Sequence, residues 1–457
     1  MLCGLETEYG LWIEGRGPKE QLEDAAEVVR SYPNPCFVGW DYRFEGPRSD
    51  LRGFEAEALS VDPIDAEFDE GKQLPPAKDL RSDRVLPNGA RFYNDHGHPE
   101  YATAEGSLDA VMQDDLNGEQ VVWQAAQAYS AQTGRRVKVY KNNTDFHGAS
   151  YGTHESYLVP RSLPVESLMR AVVPILVVRQ VLTGAGKVGH EHGTPCDFQL
   201  SQRAEYFSEL ASVDTLYRRP VFNTRDEPHA DPSKWMRLHV IAGDANRMPS
   251  CSRRKMYLVG RAIQMALDGN SPEWDLASPV ASFEAISKDE SQKFELDLKD
   301  RVVTAAEVLA SYLDDSEIGN ECRSLLVDLD RDFDGFARSV DWAAKKRLVE
   351  MANSPDPRAI DLAYSDLDPE ESLYQALLEA DEIEDWHPNE GGQRSRAFAR
   401  GIAVEKFRKD LLSVSWRSLV FRQGEVELRP DVSYPKKLSE ITNVLEFIEA
   451  LRGLDDA

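Results

Sequence analysis

GLETEYG, at residues 4–10, is the stretch that decides the fold, because its polar side chains stand at every second position. Alternate side chains of a β-strand point to the same face of the sheet. The stretch therefore places Glu6 and Glu8 together on one face. This alternation predicts a β-strand near the N-terminus whose sheet has a polar face.

RFYND, at residues 91–95, repeats the alternation with more reactive side chains. Arg91, Tyr93 and Asp95 share one face of this predicted strand, and Glu100 follows one tight turn later. The turn is short enough to bring Glu100 close to Asp95. Two carboxylates placed in this way could approach the same metal ion.

Two further strand-like segments show the pattern, one with His154 and Ser156, the other with Arg237 and His239. One such segment alone is typical of the solvent-facing side of an ordinary sheet. Four segments with carboxylates, imidazoles and guanidiniums instead indicate a site for a divalent metal and a polyphosphate. Mg²⁺ prefers oxygen ligands, and arginine binds phosphate oxygens bidentately.

Composition excludes several classes of protein. The chain has 457 residues and a net charge of 53 − 80 = −27, which argues against nucleic acid as the partner. The apolar run at 171–178 is too short to span a membrane, and the acidic N-terminus does not resemble a signal peptide. Five scattered cysteines without CxxC spacing predict free thiols. We therefore expect a soluble cytoplasmic protein, taken to be a monomer.

The chain mixes strands and helices in its first half and is mostly helical in its second half. Strands are predicted at 2–13, 90–94, 137–141, 153–159, 196–200 and 236–242. Helices are predicted at 20–32, 118–132, 163–183, 252–267, 301–313, 319–349 and 395–412. Residues 33–86 lack sustained periodicity, which is typical of a functional loop or an insertion. An acidic segment with Pro and Gly at 379–394 indicates a linker to a small C-terminal unit.

Other motifs give weaker indications. The GxGxxG match at 184–189 follows a predicted helix instead of a strand, so it does not indicate a dinucleotide site. No GxxxxGK[ST] motif is present, which excludes a P-loop. The sequence His190-Glu191-His192 could bind metal, but a surface loop is the simpler interpretation.

Several segments, taken in order, resemble the family of the Pup ligase and the depupylase (deamidase of Pup), relatives of glutamine synthetase and glutamate–cysteine ligase. The resemblance covers nearly the whole chain. It is carried by GLETEYG (4–10), NGARFYNDHGHPEYATAE (88–105), KNNTDFHGASYGTHESYL (141–158), LSQRAEY (200–206), NTRDEPHAD (223–231), RLHVIAGDAN (237–246), IDLAYSD (360–366), SRAFARG (395–401) and SWRSLVF (415–421).

The resemblance implies an α+β fold. A large glutamine synthetase-like domain at 1–385, with a curved antiparallel sheet packed by helices, would hold ATP (or ADP) and Mg²⁺. A mobile loop is expected at 43–86 and a small C-terminal domain at 386–457. The implied metal ligands are Glu6, Tyr93 and Glu100, with Glu8, His154 and His239 as additional candidates. The implied nucleotide contacts are Arg91, Thr103, Arg225 and Trp416, and Asp95 takes the catalytic position.

The two branches of the family act on one bond in opposite directions. The insertion that opens at 40–43 and the Asp-His-Gly-His-Pro-Glu spacing resemble the depupylase branch, whereas 102–105 is closer to the ligase. We therefore expect hydrolysis of the isopeptide between a Pup-like modifier and a substrate lysine, and deamidation of the modifier's C-terminal Gln. ATP would be required without being consumed stoichiometrically. The alternatives are ligation through a γ-glutamyl phosphate, a noncatalytic modifier-binding protein and a small-molecule carboxylate–amine ligase.

Overall fold

The structure is a computed structural model that describes residues 1–60, 80–388 and 395–454. Its centre is an eight-stranded mixed sheet in the order β10-β11-β12-β7-β1-β5-β4-β3. These strands are β1 (Cys3–Glu8), β3 (Arg84–Val85), β4 (Arg91–Asp95), β5 (His98–Ala102), β7 (Thr153–Pro160), β10 (Phe207–Ser212), β11 (Arg219–Asn223) and β12 (Trp235–Val240). The neighbouring pairs are antiparallel except β10 and β11, which are parallel.

Four smaller sheets, built of strands of two to four residues, complete the strands of the described chain. They involve β2 (Gly10–Ile13), β6 (Val137–Tyr140), β8 (Lys187–Val188), β9 (Phe198–Gln199), β13 (Glu295–Asp297), β14 (Val302–Thr304), β15 (Leu411–Val414), β16 (Ser418–Phe421) and β17 (Gly424–Glu427). β2 pairs with β6, β8 with β9 and β13 with β14, and β15 to β17 form a three-stranded sheet.

Helices cover the apolar face of the large sheet and form most of the second half. They are α1 (Gln21–Arg30), α2 (Leu108–Thr133), α3 (Val165–Val178), α4 (Gln180–Thr183), α5 (Pro249–Leu267), α6 (Pro279–Ser287), α7 (Ala305–Ala310), α8 (Glu317–Arg331), α9 (Phe333–Ala337), α10 (Asp341–Ala352), α11 (Pro357–Ser365), α12 (Leu373–Glu379), α13 (Arg396–Phe407) and α14 (Val444–Arg452). The apolar helix α3 packs against β11 and α5, so the largest hydrophobic core lies behind the sheet. No helix of the described ranges is long and apolar enough to cross a bilayer.

Some predicted elements differ from the structure. The strand predicted at 2–13 breaks at Tyr9, because β1 joins β5 and β7 while β2 turns to pair with β6. The helix predicted at 319–349 is three helices, and the Asp332 side chain accepts a hydrogen bond from Gly335 N to start the second one. The helix predicted at 301–313 begins with a strand, and the segment 196–200 contains only a two-residue strand.

The C-terminal unit has its own core but does not pack alone. α13, α14 and the sheet β15–β17 bury apolar side chains together with Phe37, Trp40 and Val85 from the N-terminal part of the chain. The insertion predicted at 43–86 lies outside the described residues at 61–79. Its described beginning is anchored, since Leu51 N donates to Thr224 O at 2.7 Å.

Candidate functional site

Pairing of the strands brings the polar positions onto one face. β1 lies between β5 and β7, so Glu6 stands opposite His154 and Glu8 stands opposite Glu100. β4 pairs with β5 so that Tyr93 stands opposite Glu100. All six candidate metal ligands therefore lie on five neighbouring strands, in the order β12, β7, β1, β5 and β4.

Two groups of potential ligand atoms result from this register. Glu6, His154 and His239 form one group, and Glu8, Asp95 and Glu100 form the other, with the ligand atoms of each group within 4.8 Å of one another. The first group offers one carboxylate and two imidazoles. The second offers three carboxylates, which is the chemistry that a hard divalent cation prefers.

The first group keeps its carboxylate charged and one imidazole neutral. Glu6 lies 3.6 Å from His154 Nδ1, 3.9 Å from His239 Nε2 and 3.5 Å from Arg237 Nη1. Burial raises the pKa of Glu6, but His154 and Arg237 outweigh it, so the pKa lies below its ordinary value. Burial and then Arg237 lower the pKa of His239 well below its ordinary value.

The second group contains a buried carboxylate oxygen without a hydrogen-bond partner. Glu100 is 1% exposed, and Tyr93 donates its hydroxyl to Glu100 Oε1 at 2.6 Å, whereas Oε2 accepts no bond. Burial, together with Asp95 and Glu8, raises the pKa of Glu100 well above its ordinary value. Buried polar atoms are almost always paired, so this oxygen has unused capacity to bind a cation or a hydrogen-bond donor.

Asp95 lies at the edge of the second group beside two cationic side chains. Its carboxylate is 3.1 Å from His96 Nδ1 and 3.7 Å from Arg81 Nη2. Burial raises the pKa of Asp95, but the opposite effect of His96 and Arg81 is larger. The pKa of Asp95 therefore lies well below its ordinary value. The carboxylate is therefore ionised, and Asp95 raises the pKa of His96 to about 9.

A cleft of about 530 Å³, its open mouth included, lies along β1 and reaches the C-terminal unit. Thr103 and Trp416, two of the predicted nucleotide contacts, line it together with Glu6 and Arg237. Thr103 Oγ1 accepts a hydrogen bond from Leu5 N at 3.0 Å, which fixes the side chain at the wall. The cleft thus runs from the first ligand group to a half-buried indole.

The other two predicted nucleotide contacts do not line this cleft. The guanidinium of Arg91 is buried over the Tyr93 ring, 3.9 Å from the ring centroid, and it pairs with Asp83 at 2.6 Å. Arg225 stands at the polar face, 4.0 Å from Glu227, and its buried Nε has no hydrogen-bond partner. Arg91 therefore supports Tyr93 in this structure. Arg225 Nη2 donates to Thr215 Oγ1 at 3.2 Å, which leaves Nε as its unpaired donor.

Three residues of the site were not assigned a role from the sequence. Arg237 contacts Glu6 and Glu227, and its place in the alternation with His239 was the signal for it. Arg81 lies in the aperiodic segment 33–86, where no pattern indicates which residue returns to the sheet. Glu227 pairs with Arg237 at 3.2 Å and belongs to a polar run whose geometry only the fold defines.

Comparison with known proteins gives the family. A family model described as Pup-ligase protein matches residues 1–420. The chain belongs to this family. It is 35% identical to the depupylase of Acidothermus cellulolyticus over 92% of this chain and 90% of that protein. It is 33% identical to the Pup deamidase/depupylase of Mycolicibacterium smegmatis over 93% of this chain and 92% of that protein.

Two solved structures share the fold. The complex between the prokaryotic ubiquitin-like protein Pup and its ligase PafA matches with a TM-score of 0.76 and 26% identity, over 100% of this chain and 94% of that one. The Pup ligase PafA in complex with ADP matches with a TM-score of 0.71 and 27% identity, over 88% and 97%. The α+β fold and the family predicted from the sequence are confirmed.

Proposed function

We propose that this Pup-pathway enzyme is a depupylase and Pup deamidase. It hydrolyses the isopeptide bond between a Pup-like modifier and a substrate lysine, and it removes the side-chain amide from a modifier that ends in Gln. The observation that carries the proposal is the pair of ligand groups on one sheet face, with the ionised Asp95 in the second group. Relatives named depupylase, aligned over nine-tenths of both chains, support the choice of branch.

Mg²⁺ and ATP or ADP fit the residues that are present. The unpartnered Glu100 Oε2 and the two unpartnered ring nitrogens of His239 are buried atoms with unused bonding capacity. Glu6, His154 and His239 would hold one ion, and Glu8, Tyr93 and Glu100 would hold another. The ions would polarise the amide carbonyl and neutralise phosphate charge. Thr103, Trp416 and Arg225 would contact the nucleotide, and Arg91 would hold the Tyr93 ring in place.

The reacting amide requires a base and stabilisation of the oxyanion that develops on its carbonyl. Asp95 is ionised beside His96 and Arg81, so it can accept a proton from the attacking water or align it. Arg237 faces the same cluster at Glu6, where its guanidinium can stabilise negative charge that develops during hydrolysis.

Ligation is the second candidate, because the match to the ligase PafA supports the family without separating its two branches. One experiment separates the two reactions. The protein is incubated with ATP and Mg²⁺, in one sample with a Pup–lysine conjugate and in a second sample with free Pup ending in Glu and a lysine-bearing substrate protein. Conjugate and ADP are followed separately in both. Hydrolysis predicts loss of conjugate without matching ADP, whereas ligation predicts one ADP per conjugate formed. Absence of both reactions would leave a noncatalytic binding protein, against which the complete set of ligands argues.

The partner and the setting are part of the same proposal. The partner is a Pup-like modifier and its conjugates, and the net charge of −27 disfavours nucleic acid. All five cysteines are free thiols, which fits the reducing cytoplasm. We expect a monomer, which size-exclusion chromatography with light scattering would check.

A further inference from the structure

A column of alternating rings and guanidiniums connects the metal face to the C-terminal unit. The Arg91 guanidinium lies 3.9 Å from the centroid of the Tyr93 ring and 4.2 Å from that of Trp40. Trp40 then meets Trp416 edge to face, with the two centroids 4.9 Å apart. The column ends at Arg400 of α13, whose guanidinium lies 4.8 Å from the Trp416 centroid.

Arg400 is held in place by contacts from three parts of the chain. Its side chain is completely buried, its Nε donates to Gly89 O at 2.8 Å, and its Nη1 donates to Trp416 O at 3.3 Å. Glu105, which follows β5, binds both Arg400 and Arg396 through its carboxylate. A planar guanidinium can stack on an indole and form these bonds at the same time, which an ammonium cannot do.

Trp416 is the member of the column that reaches the cleft. It is half-buried, and one side of the indole lines the cleft while Trp40 and Arg400 contact the rest of it. A ligand that stacks on a mobile indole must pay the conformational entropy of ordering it. Because Arg400 already orders the Trp416 ring, this cost does not fall on ligand binding. Binding is tighter where the contacting side chain is already ordered.

We propose that Arg400 is a positioning residue, which orders Trp416 for the bound nucleotide without touching the nucleotide itself. This role rests on the proposed function, because it requires a nucleotide in the cleft. It also gives the C-terminal unit a part in nucleotide binding through a residue far from the metal ligands in sequence.

The test measures binding of Mg²⁺–ADP by isothermal titration calorimetry. Arg400→Lys keeps the charge opposite Glu105 but removes the stacked plane, so we expect the Kd to rise about tenfold, which corresponds to about 1.4 kcal/mol. In a Trp416→Ala background the same substitution should change the Kd by less than about twofold, because the ring on which it acts is absent. Arg417→Lys is the control, since that guanidinium lies over Phe44, outside the column.

A structural role alone would give a different result. Arg400→Lys would then lower the melting temperature with an unchanged Kd, or its effect on the Kd would be the same in both backgrounds, and either result overturns the proposal. If Arg400→Lys does not fold, Glu105→Gln replaces it, because the Glu105 carboxylate holds the Arg400 guanidinium. A smaller loss is expected, which also vanishes beside Trp416→Ala. Wild-type protein that binds no Mg²⁺–ADP would instead refute the proposed function on which this role rests.

Discussion

Replacement of Glu100 by Gln should stabilise the metal-free protein. The Gln carbonyl can still accept the bond from the Tyr93 hydroxyl, and the new amide can donate toward the neighbouring carboxylates of Glu8 and Asp95. The substitution also removes a buried acid whose pKa is raised well above 4.5. In the wild type, above pH 4.5, the folded state keeps a proton on Glu100 that the unfolded state has released. Glu100 therefore lowers the free energy of unfolding as the pH rises from 4.5 toward its raised pKa.

The size of the effect follows from the pH interval. Each pH unit between the ordinary and the raised pKa of Glu100 costs about 1.4 kcal/mol, so the cost at pH 7 has an upper limit of roughly 3 kcal/mol. At pH 5 the same reasoning leaves less than about 1 kcal/mol. The stabilisation by Glu100→Gln should therefore be clear at pH 7 and should shrink toward pH 5.

Mg²⁺ should offset most of this difference in stability. A ligand that binds only the folded state at 100 times its Kd adds about 2.7 kcal/mol, and the variant that lacks a ligand carboxylate should gain much less. Urea unfolding in EDTA and in Mg²⁺, at pH 5 and pH 7, measures both effects. Glu295→Gln, at an exposed position of β13, should follow the wild type throughout. A Glu100→Gln protein that is less stable than the wild type in EDTA at pH 7 would contradict the cost assigned to the buried acid. Equal stabilisation of both proteins by Mg²⁺ would contradict Glu100 as a metal ligand.

Three further predictions concern the site and the insertion. Asp95→Asn should lower turnover of a Pup conjugate by about 10²–10⁴-fold while ADP binding survives, and a near wild-type rate would contradict a catalytic role. Glu6→Ala should abolish Mg²⁺-dependent nucleotide binding and keep the circular dichroism spectrum, so an unchanged Kd would contradict the metal assignment. Deletion of residues 61–79 should alter turnover and leave the melting temperature within a few degrees, since the anchor between Leu51 and Thr224 remains; a large fall would show that the segment contributes to the core.

The sequence by itself determined the polar face of the sheet. Side-chain direction in a strand has a period of two, which is a local property, so Glu6 and Glu8 could be placed together before any partner strand was known. The resemblance then gave the family and the α+β fold, because its motifs occur in order along almost the whole chain. Asp95 followed from the same alternation, and the closeness of Glu100 to Asp95 followed from a turn of only a few residues.

Only the tertiary structure decided how these residues share charge. Arg91 lies on the same strand face as Tyr93, as the alternation predicted. Its guanidinium nevertheless pairs with Asp83, and no local sequence pattern indicates this ion pair. The pairing of Glu105 with Arg400 joins residues almost 300 positions apart, and Arg400 contacts Trp416 at the cleft. Contacts of this kind depend on strand order and on packing between the two cores, and these are set by the burial of the whole chain and not by its local periodicity.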